Sequence, residues 1–173
     1  MEILLSAGEI QKRVAEIAGD IRRDVPGRVH LVAVLKGAFV FLADLIRQMP
    51  GEVTVDFIAL SSYGSRMTSS GDVRMLKDLD MPLRGRDVVV VEDVIDSGTT
   101  LAALLEALRG RDPRTLRTVC LLNKPARRRI AVPIEYVGFT IGDRFVVGYG
   151  LDCAERYRHL PYLAALETGD CRV

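Results

Sequence analysis

Tryptophan is absent from this sequence, histidine occurs twice, cysteine three times, and aromatic residues make up only 6%. His30 and His159 are far apart with no second ligand in register, so the chain writes no histidine-based metal centre. His30 lies inside an apolar run and reads as structural, whereas His159 lies in a polar run and reads as a surface residue. Cys120, Cys153 and Cys171 are an odd number with no metal-ligand spacing. Cys120 falls in an apolar strand and reads as packing, the other two as plain thiols; a disulfide framework is not expected, and a reducing compartment is. Excess charge of either sign is also missing, with 24 Lys and Arg against 23 Asp and Glu, net +1. Such a balance sets up no field toward nucleic acid or a membrane surface. Long apolar runs are lacking too. The most apolar segment, 31–46, is interrupted by Lys36 and Asp44 and falls short of the ~20 residues a membrane span needs. Glu2 and Glu9 stand where a secretory leader would be basic. The expectation is a cytoplasmic protein with neither nucleic-acid nor membrane partners.

What is present is enough for one compact domain: 173 residues, 49% hydrophobic and 27% charged, with no internal repeat, low-complexity segment or linker. Ser6-x-x-Glu9 is a capping box, and Ile10, Val14, Ile17 and Ile21 then recur at helical spacing. Val29–Leu35 is a buried strand, followed across Lys36-Gly37 by a helix over 38–48. A lysine at a strand's end beside a glycine serves either an anion or merely the turn. Val53–Leu60 alternates as a strand, and Val73–Lys77 returns as another. Between them runs a serine-rich segment, too long for a packed turn, which is a mobile lid or a bystander. Leu116–Leu122 is an apolar strand ending in Asn123-Lys124-Pro125, and Arg127–Arg129 reads as a solvated basic loop. Short strands over 134–140 and 144–148 precede Gly148-Tyr149-Gly150-Leu151-Asp152. Strands alternating with helices from residue 29 to 122 predict a mainly parallel, doubly wound sheet. In such a sheet, ligands bind at the C-terminal ends of the strands.

The stretch Val88–Thr100, VVVVEDVIDSGTT, organises the rest. Four β-branched residues form a strand buried on both faces, and Glu92 and Asp93 follow. Asp96-Ser97-Gly98-Thr99-Thr100 then leads into a helix whose apolar face is Leu101, Leu104, Leu105 and Leu108. A helix start leaves backbone N–H groups unpaired and carries the positive end of the macrodipole, which suits an anion. The loop lacks the glycine spacing and Lys-Ser/Thr pair of a Walker A loop, and no G-x-G-x-x-G follows the strand. It reads as a cradle for one phosphate, with acids that would suit ribose hydroxyls; the alternative, an ordinary βα turn with an Asp or Ser as helix cap, is disfavoured by the whole thirteen-residue string.

This string resembles the phosphoribosyl-pyrophosphate (PRPP) motif of the type I phosphoribosyltransferases, and most nearly that of the hypoxanthine(-guanine) phosphoribosyltransferases. The resemblance extends over Leu35-Lys36-Gly37, Ser61-Ser62-Tyr63-Gly64, Leu122-Asn123-Lys124-Pro125 and the run from Phe145 to Tyr157, in the family's order. It implies the type I phosphoribosyltransferase fold, a mainly parallel sheet flanked by helices with a small hood, in one domain over 1–173. The core would occupy roughly 25–140, the hood the N-terminal segment and 141–173, and a flexible loop 61–75. The implied activity is purine salvage: transfer of the 5-phosphoribosyl group from PRPP to N9 of hypoxanthine, and of guanine, releasing pyrophosphate. The alternatives are a PRPP- or nucleotide-sensing regulator on the same fold, or a transferase preferring xanthine or guanine.

The resemblance also implies residue roles. The loop Asp96, Ser97, Gly98, Thr99 and Thr100 would hold the 5′-phosphate, and Glu92 and Asp93 the ribose hydroxyls. Adjacent strand residues point to opposite faces, so both acids reach one sugar only if the strand has ended there. Asp96 would be the proton-transferring carboxylate near purine N7. Lys36, Gly37 and Arg158 would bind pyrophosphate, with a non-proline cis peptide at Lys36. Ser62 and Tyr63 would belong to the loop closing over the reacting centre. Lys124 would donate to the 6-oxo group, Phe145 would stack on the base and Val146 would offer it backbone groups. Arg144 stands where some members carry another residue, which leaves the 2-position pocket open. Asp152 would bind Mg²⁺ together with pyrophosphate, Glu92 and Asp93 acting on it indirectly. The expected assembly is a homodimer or homotetramer.

Overall fold

The computed structural model describes residues 1–62 and 73–167. Its centre is a six-stranded sheet built from β2 (Val29–Leu35), β3 (Val53–Ser62), β4 (Val73–Lys77), β5 (Asp87–Ile95), β6 (Thr115–Asn123) and β7 (Tyr136–Thr140), in the order β4-β3-β2-β5-β6-β7. The pairs β2/β3, β2/β5, β5/β6 and β6/β7 are parallel, and only β4 runs antiparallel at one edge. Helices α1 (Ala7–Asp24) and α2 (Phe39–Gln48) lie on one side of the sheet, α3 (Thr99–Arg109) on the other.

Strand β5 shows why this pattern folds this way. Val89 and Val91 join the cluster of α1 and α2, whereas Val88 and Val90 join Leu101, Leu104, Leu105 and Leu108 of α3. All eight are buried, as a strand covered on both faces requires. The cap of α1 forms as its sequence predicts, with Glu9 N–H donating to Ser6 Oγ and Ser6 N–H to the Glu9 carboxylate.

A second, three-stranded antiparallel sheet joins β1 (Glu2–Leu5), β9 (Leu163–Leu166) and β8 (Phe145–Val147), with β9 in the middle. Of the N-terminal segment only β1 belongs to this sheet, since α1 buries Ile10, Val14, Ile17 and Ile21 in the main core. Two expectations need correction. Of the loop expected over 61–75, Ser61 and Ser62 complete β3 and pair with Arg74 and Val73 of β4; Tyr63 lies outside the described residues, as does Cys171. Cys153 is disulfide-bonded rather than a plain thiol, while Cys120 is free and buried, its thiol pushed up to about 12 mainly by burial. Among the described residues, no helix is long and apolar enough to cross a membrane.

Candidate active site

Four of the parallel strands deliver candidate residues to one edge of the main sheet, because parallel strands present all their C-terminal ends together. After β5, Gly98 sits in the left-handed region at φ 84°, which glycine enters freely, and α3 begins at Thr99. Ser97 Oγ accepts from Thr99 N–H at 3.3 Å and lies 3.2 Å from Thr99 Oγ1. Its carbonyl accepts from the N–H groups of Arg129 and Ile130. Above this turn opens a cavity of about 230 Å³, lined in part by Glu92, Asp96, Ser97, Gly98 and Thr100.

The acids stand inside the strand rather than beyond it, because β5 continues to Ile95. Glu92 therefore lines the cavity over α3, while Asp93 turns to the other face, against Gly37. The condition set for both acids to reach one sugar, that the strand end before them, is not met as stated. The alternation does reverse just after them, with Val94 packing on the α1/α2 cluster and Ile95 on that of α3. Burial lifts Glu92 well above the usual carboxylate range, and the charge of Asp93 adds to this. Asp93 is raised by burial as well, opposed by its hydrogen bond from Val94 N–H and by the charge of Arg158.

Gly37 follows the cis peptide Leu35–Lys36. A Cβ at Gly37 would lie 1.5 Å from Asp93 Oδ2, so this loop and β5 meet in a contact only glycine permits. Lys36 Nζ reaches both Glu155 carboxylate oxygens at 3.2 Å. Arg158 pairs with Asp152 at 2.8 Å and donates to Gly150 O at 2.8 Å, and Glu155 N–H donates to the second Asp152 oxygen. The backbone here is unusual, with Tyr149, Ala154, Glu155 and Tyr157 all at positive φ, a strain that persists where surrounding structure fixes it. Lys36, Gly37, Asp93, Asp152 and Arg158 thus form one group. Among the described residues, no cluster of three or more His, Cys, Asp or Glu is assembled for a metal. Asp152, with Asp93 close enough to feel its charge, fits a hard cation that keeps most ligands as water and phosphate oxygen.

On the other flank, Lys124 is buried at the end of β6 and donates to Arg144 O at 2.7 Å. Phe145 on β8 leaves 48% of its surface exposed, a free ring face, and Val146 beside it is buried. Arg144 is drawn away by an ion pair to Glu2 at 2.5 Å. Asp96 lies between this flank and the phosphate loop. Its Oδ1 is buried without a hydrogen bond, Arg127 Nε lying 3.2 Å away as a counter-charge whose N–H is not aligned on it.

Ser62 stands at the end of β3 on the same edge of the sheet. The arginines after Lys124 had been read as a solvated loop, yet two of them shape the site. Arg127 pairs with Asp96, and Arg128 donates to Asp96 O, Ile95 O and Asn123 Oδ1. The available signal was positional, since the triplet follows a strand that pairs directly with β5.

Known proteins resemble this chain in sequence and in fold. The family described as the phosphoribosyl transferase domain matches residues 1–154. A hypoxanthine phosphoribosyltransferase of Salmonella typhimurium is 49% identical over 166 residues, covering 94% of this chain and 93% of its own. A hypoxanthine-guanine phosphoribosyltransferase of Mycobacterium avium is 51% identical, covering 95% and 85%. A crystal structure of a hypoxanthine-guanine phosphoribosyltransferase from Bacillus anthracis superposes with a TM-score of 0.93 at 47% identity, covering 96% of this chain and 99% of that one. With nearly the whole chain matched in sequence and in fold, this chain belongs to the phosphoribosyltransferase family, among the hypoxanthine(-guanine) phosphoribosyltransferases.

Proposed function

We propose that this chain transfers the 5-phosphoribosyl group of PRPP to N9 of hypoxanthine and guanine, releasing pyrophosphate. The observation that carries this reading is the placement of Asp96, ion-paired to Arg127 and set between the phosphate loop and the flank of Lys124 and Phe145. In the reaction N9 bonds to ribose C1, the C1–oxygen bond to pyrophosphate breaks, and the purine sheds a proton. Asp96 accepts that proton at N7. The phosphate loop fixes the sugar phosphate and Glu92 and Asp93 the hydroxyls. Lys36, Gly37 and Arg158 receive the departing pyrophosphate, for which the Lys36–Glu155 contact must open. Lys124 donates to the 6-oxo group and so disfavours adenine, whose amino group offers no acceptor there. Phe145 stacks on the base, and the backbone of Val146 contacts its edge.

Positioning dominates this chemistry. Holding reactants in line is worth roughly 7–11 kcal/mol, against the ~3–5 kcal/mol that corresponds to the usual gain from general acid–base help. A site without a covalent nucleophile is therefore sufficient. Asp152, with Asp93 nearby, would hold Mg²⁺, whose charge neutralises developing pyrophosphate.

The test offers PRPP with hypoxanthine, guanine, xanthine, adenine or uracil, with and without Mg²⁺, and follows nucleotide formation. Metal-dependent IMP and GMP are expected; nucleotide from none of the bases overturns the reading in favour of a sensor. We also propose a homodimer or homotetramer, supported by an apolar groove of about 490 Å³ between α2 and residues 158–161, beside the exposed Phe39. Light scattering during gel filtration tests it, and a monomer would refute it. We propose a cytoplasmic location, a reading supported by a polyanionic substrate that does not cross a bilayer unaided.

A further inference from the structure

The opposite end of the main sheet holds a second polar cavity, of about 440 Å³, around the first residues of β2 and β5. It lies about 20 Å from the candidate active site, the length of a seven-residue strand. Four guanidiniums, Arg28, Arg84, Arg86 and Arg114, line it against two carboxylates, Glu52 and Asp87. With a neutral imidazole the lining carries four positive charges less two negative, a net +2. Three of the arginines are committed: Arg28 to Glu52 at 2.6 Å, Arg84 to Asp112 at 3.2 Å, and Arg114 to both oxygens of Asp87. Arg86 is not. Its backbone is tied to Leu83 and Arg114, but among the described residues its guanidinium has neither a hydrogen bond nor an ion pair.

His30 supplies a second, independent observation. It lines the same cavity and is fully buried. Its Nδ1 lies 2.8 Å from Thr54 Oγ1, and the Thr54 hydroxyl donates to Val29 O at 3.4 Å. With the Thr54 hydroxyl turned to Val29 O, the tautomer that fits is the one whose Nδ1–H donates to Thr54 Oγ1, and in that tautomer Nε2 is a bare acceptor. That Nε2 has no partner. Burial and the charge of Arg86, outweighing Asp56, hold the imidazole below its ordinary range, which favours the neutral ring.

A ligand that satisfies both groups must be an anion, for Arg86, and must also carry a hydrogen to donate, for Nε2. Sulfate has the charge but no proton at neutral pH. Hydrogen phosphate has both, and so does the monoanion of a phosphate monoester. We infer that this cavity is a second anion site, remote from the catalytic edge, which binds a hydrogen-bearing phosphate between Arg86 and His30 Nε2.

The chain has only two histidines, so long-range ¹H–¹⁵N spectra of the imidazoles contain two ring systems, assigned with His159→Gln. Phosphate in the catalytic site cannot touch His30, and exposed His159, next to Arg158, reports on that site separately. Titration of the whole protein with inorganic phosphate should move the His30 Nε2 resonance saturably. Sulfate at matched ionic strength should leave it still. Arg86→Ala should weaken the phosphate effect at least tenfold, as loss of a charge-assisted hydrogen bond does. Methyl phosphate acting as strongly as phosphate would assign the site to monoesters, and phosphate acting alone would assign it to the free ion; either supports the inference. An unmoved His30 resonance in phosphate, or an equal response to sulfate, overturns it with the unmutated protein alone. An unaltered affinity in Arg86→Ala does so too.

Discussion

Gly37→Ala would set a methyl group 1.5 Å from Asp93 Oδ2 and 2.5 Å from its Cγ, distances at which one side must move. The Asp93 carboxylate is the movable partner, held by one hydrogen bond from Val94 N–H at 2.7 Å. Driving it off its rotamer costs about 0.5–1.5 kcal/mol, and losing that bond costs about as much again. The sum, about 1–3 kcal/mol, lowers the melting temperature of a domain this size by roughly 2–12 °C. The catalytic effect is specific. If Asp93 accepts from a ribose hydroxyl, its displacement removes a charged hydrogen bond of about 1.5–3 kcal/mol, or roughly 10- to 150-fold in kcat/KM for PRPP. The KM for the base, measured at saturating PRPP, should change little. Calorimetry and initial rates give both readouts, and Asp93→Ala completes a double-mutant cycle. In the Asp93→Ala background the alanine at 37 finds room, so the two changes should couple by at least about 1 kcal/mol. Additive effects on stability, or an unchanged kcat/KM for PRPP, would refute the assigned contact and its role.

Asp96→Asn should lower kcat by about 10²–10⁴ while PRPP affinity, read by calorimetric titration, holds; lost binding with normal turnover in the residual complex would sink the proton-transfer role. Phe145→Ala should raise KM for the base more than for PRPP, by the ~1–3 kcal/mol that stacking contributes per base, and equal effects on both would count against it. Glu92→Gln should stabilise the ligand-free protein in a pH-dependent way. Burial raises the folded-state pKa of Glu92, so its favourable share is complete below the ordinary glutamate range and is lost as pH rises toward the raised value, at about 1.4 kcal/mol per unit of difference. The variant's melting temperature should therefore match that of the parent near pH 4 and exceed it increasingly toward pH 8, with PRPP turnover impaired. Parallel curves would remove Glu92 from the account of stability.

The sequence made the sheet legible because its signals are local. β-Branched runs, the Ser6 capping box and the leucine face of α3 each specify their element within a few residues, and the order of elements then dictates parallel pairing. The turn from Asp96 to Thr100 into α3 was legible for the same reason, as one contiguous string. What stayed hidden depends on residues distant in sequence. β1 and β9 are four residues each and are separated by the 157 residues 6–162, so neither is informative until the other is in place. Arg127 resembled any solvated arginine until β6 brought it beside Asp96. Where Glu92 and Asp93 point depended on how far β5 runs, and alternation of apolar residues cannot locate an end that two carboxylates occupy.

The small sheet has a consequence for the order in which the protein is made. The main sheet is complete once β7 has emerged at residue 140, and with it the phosphate loop. Phe145 and Val146 then wait on β8, which pairs with β9, and β9 in turn is joined by β1, synthesised long before. Pairing across that separation is slow compared with local contacts. A chain leaving the ribosome thus acquires the loop proposed for the sugar phosphate before it places Phe145 and Val146, the residues proposed for the base, which are among the last to settle.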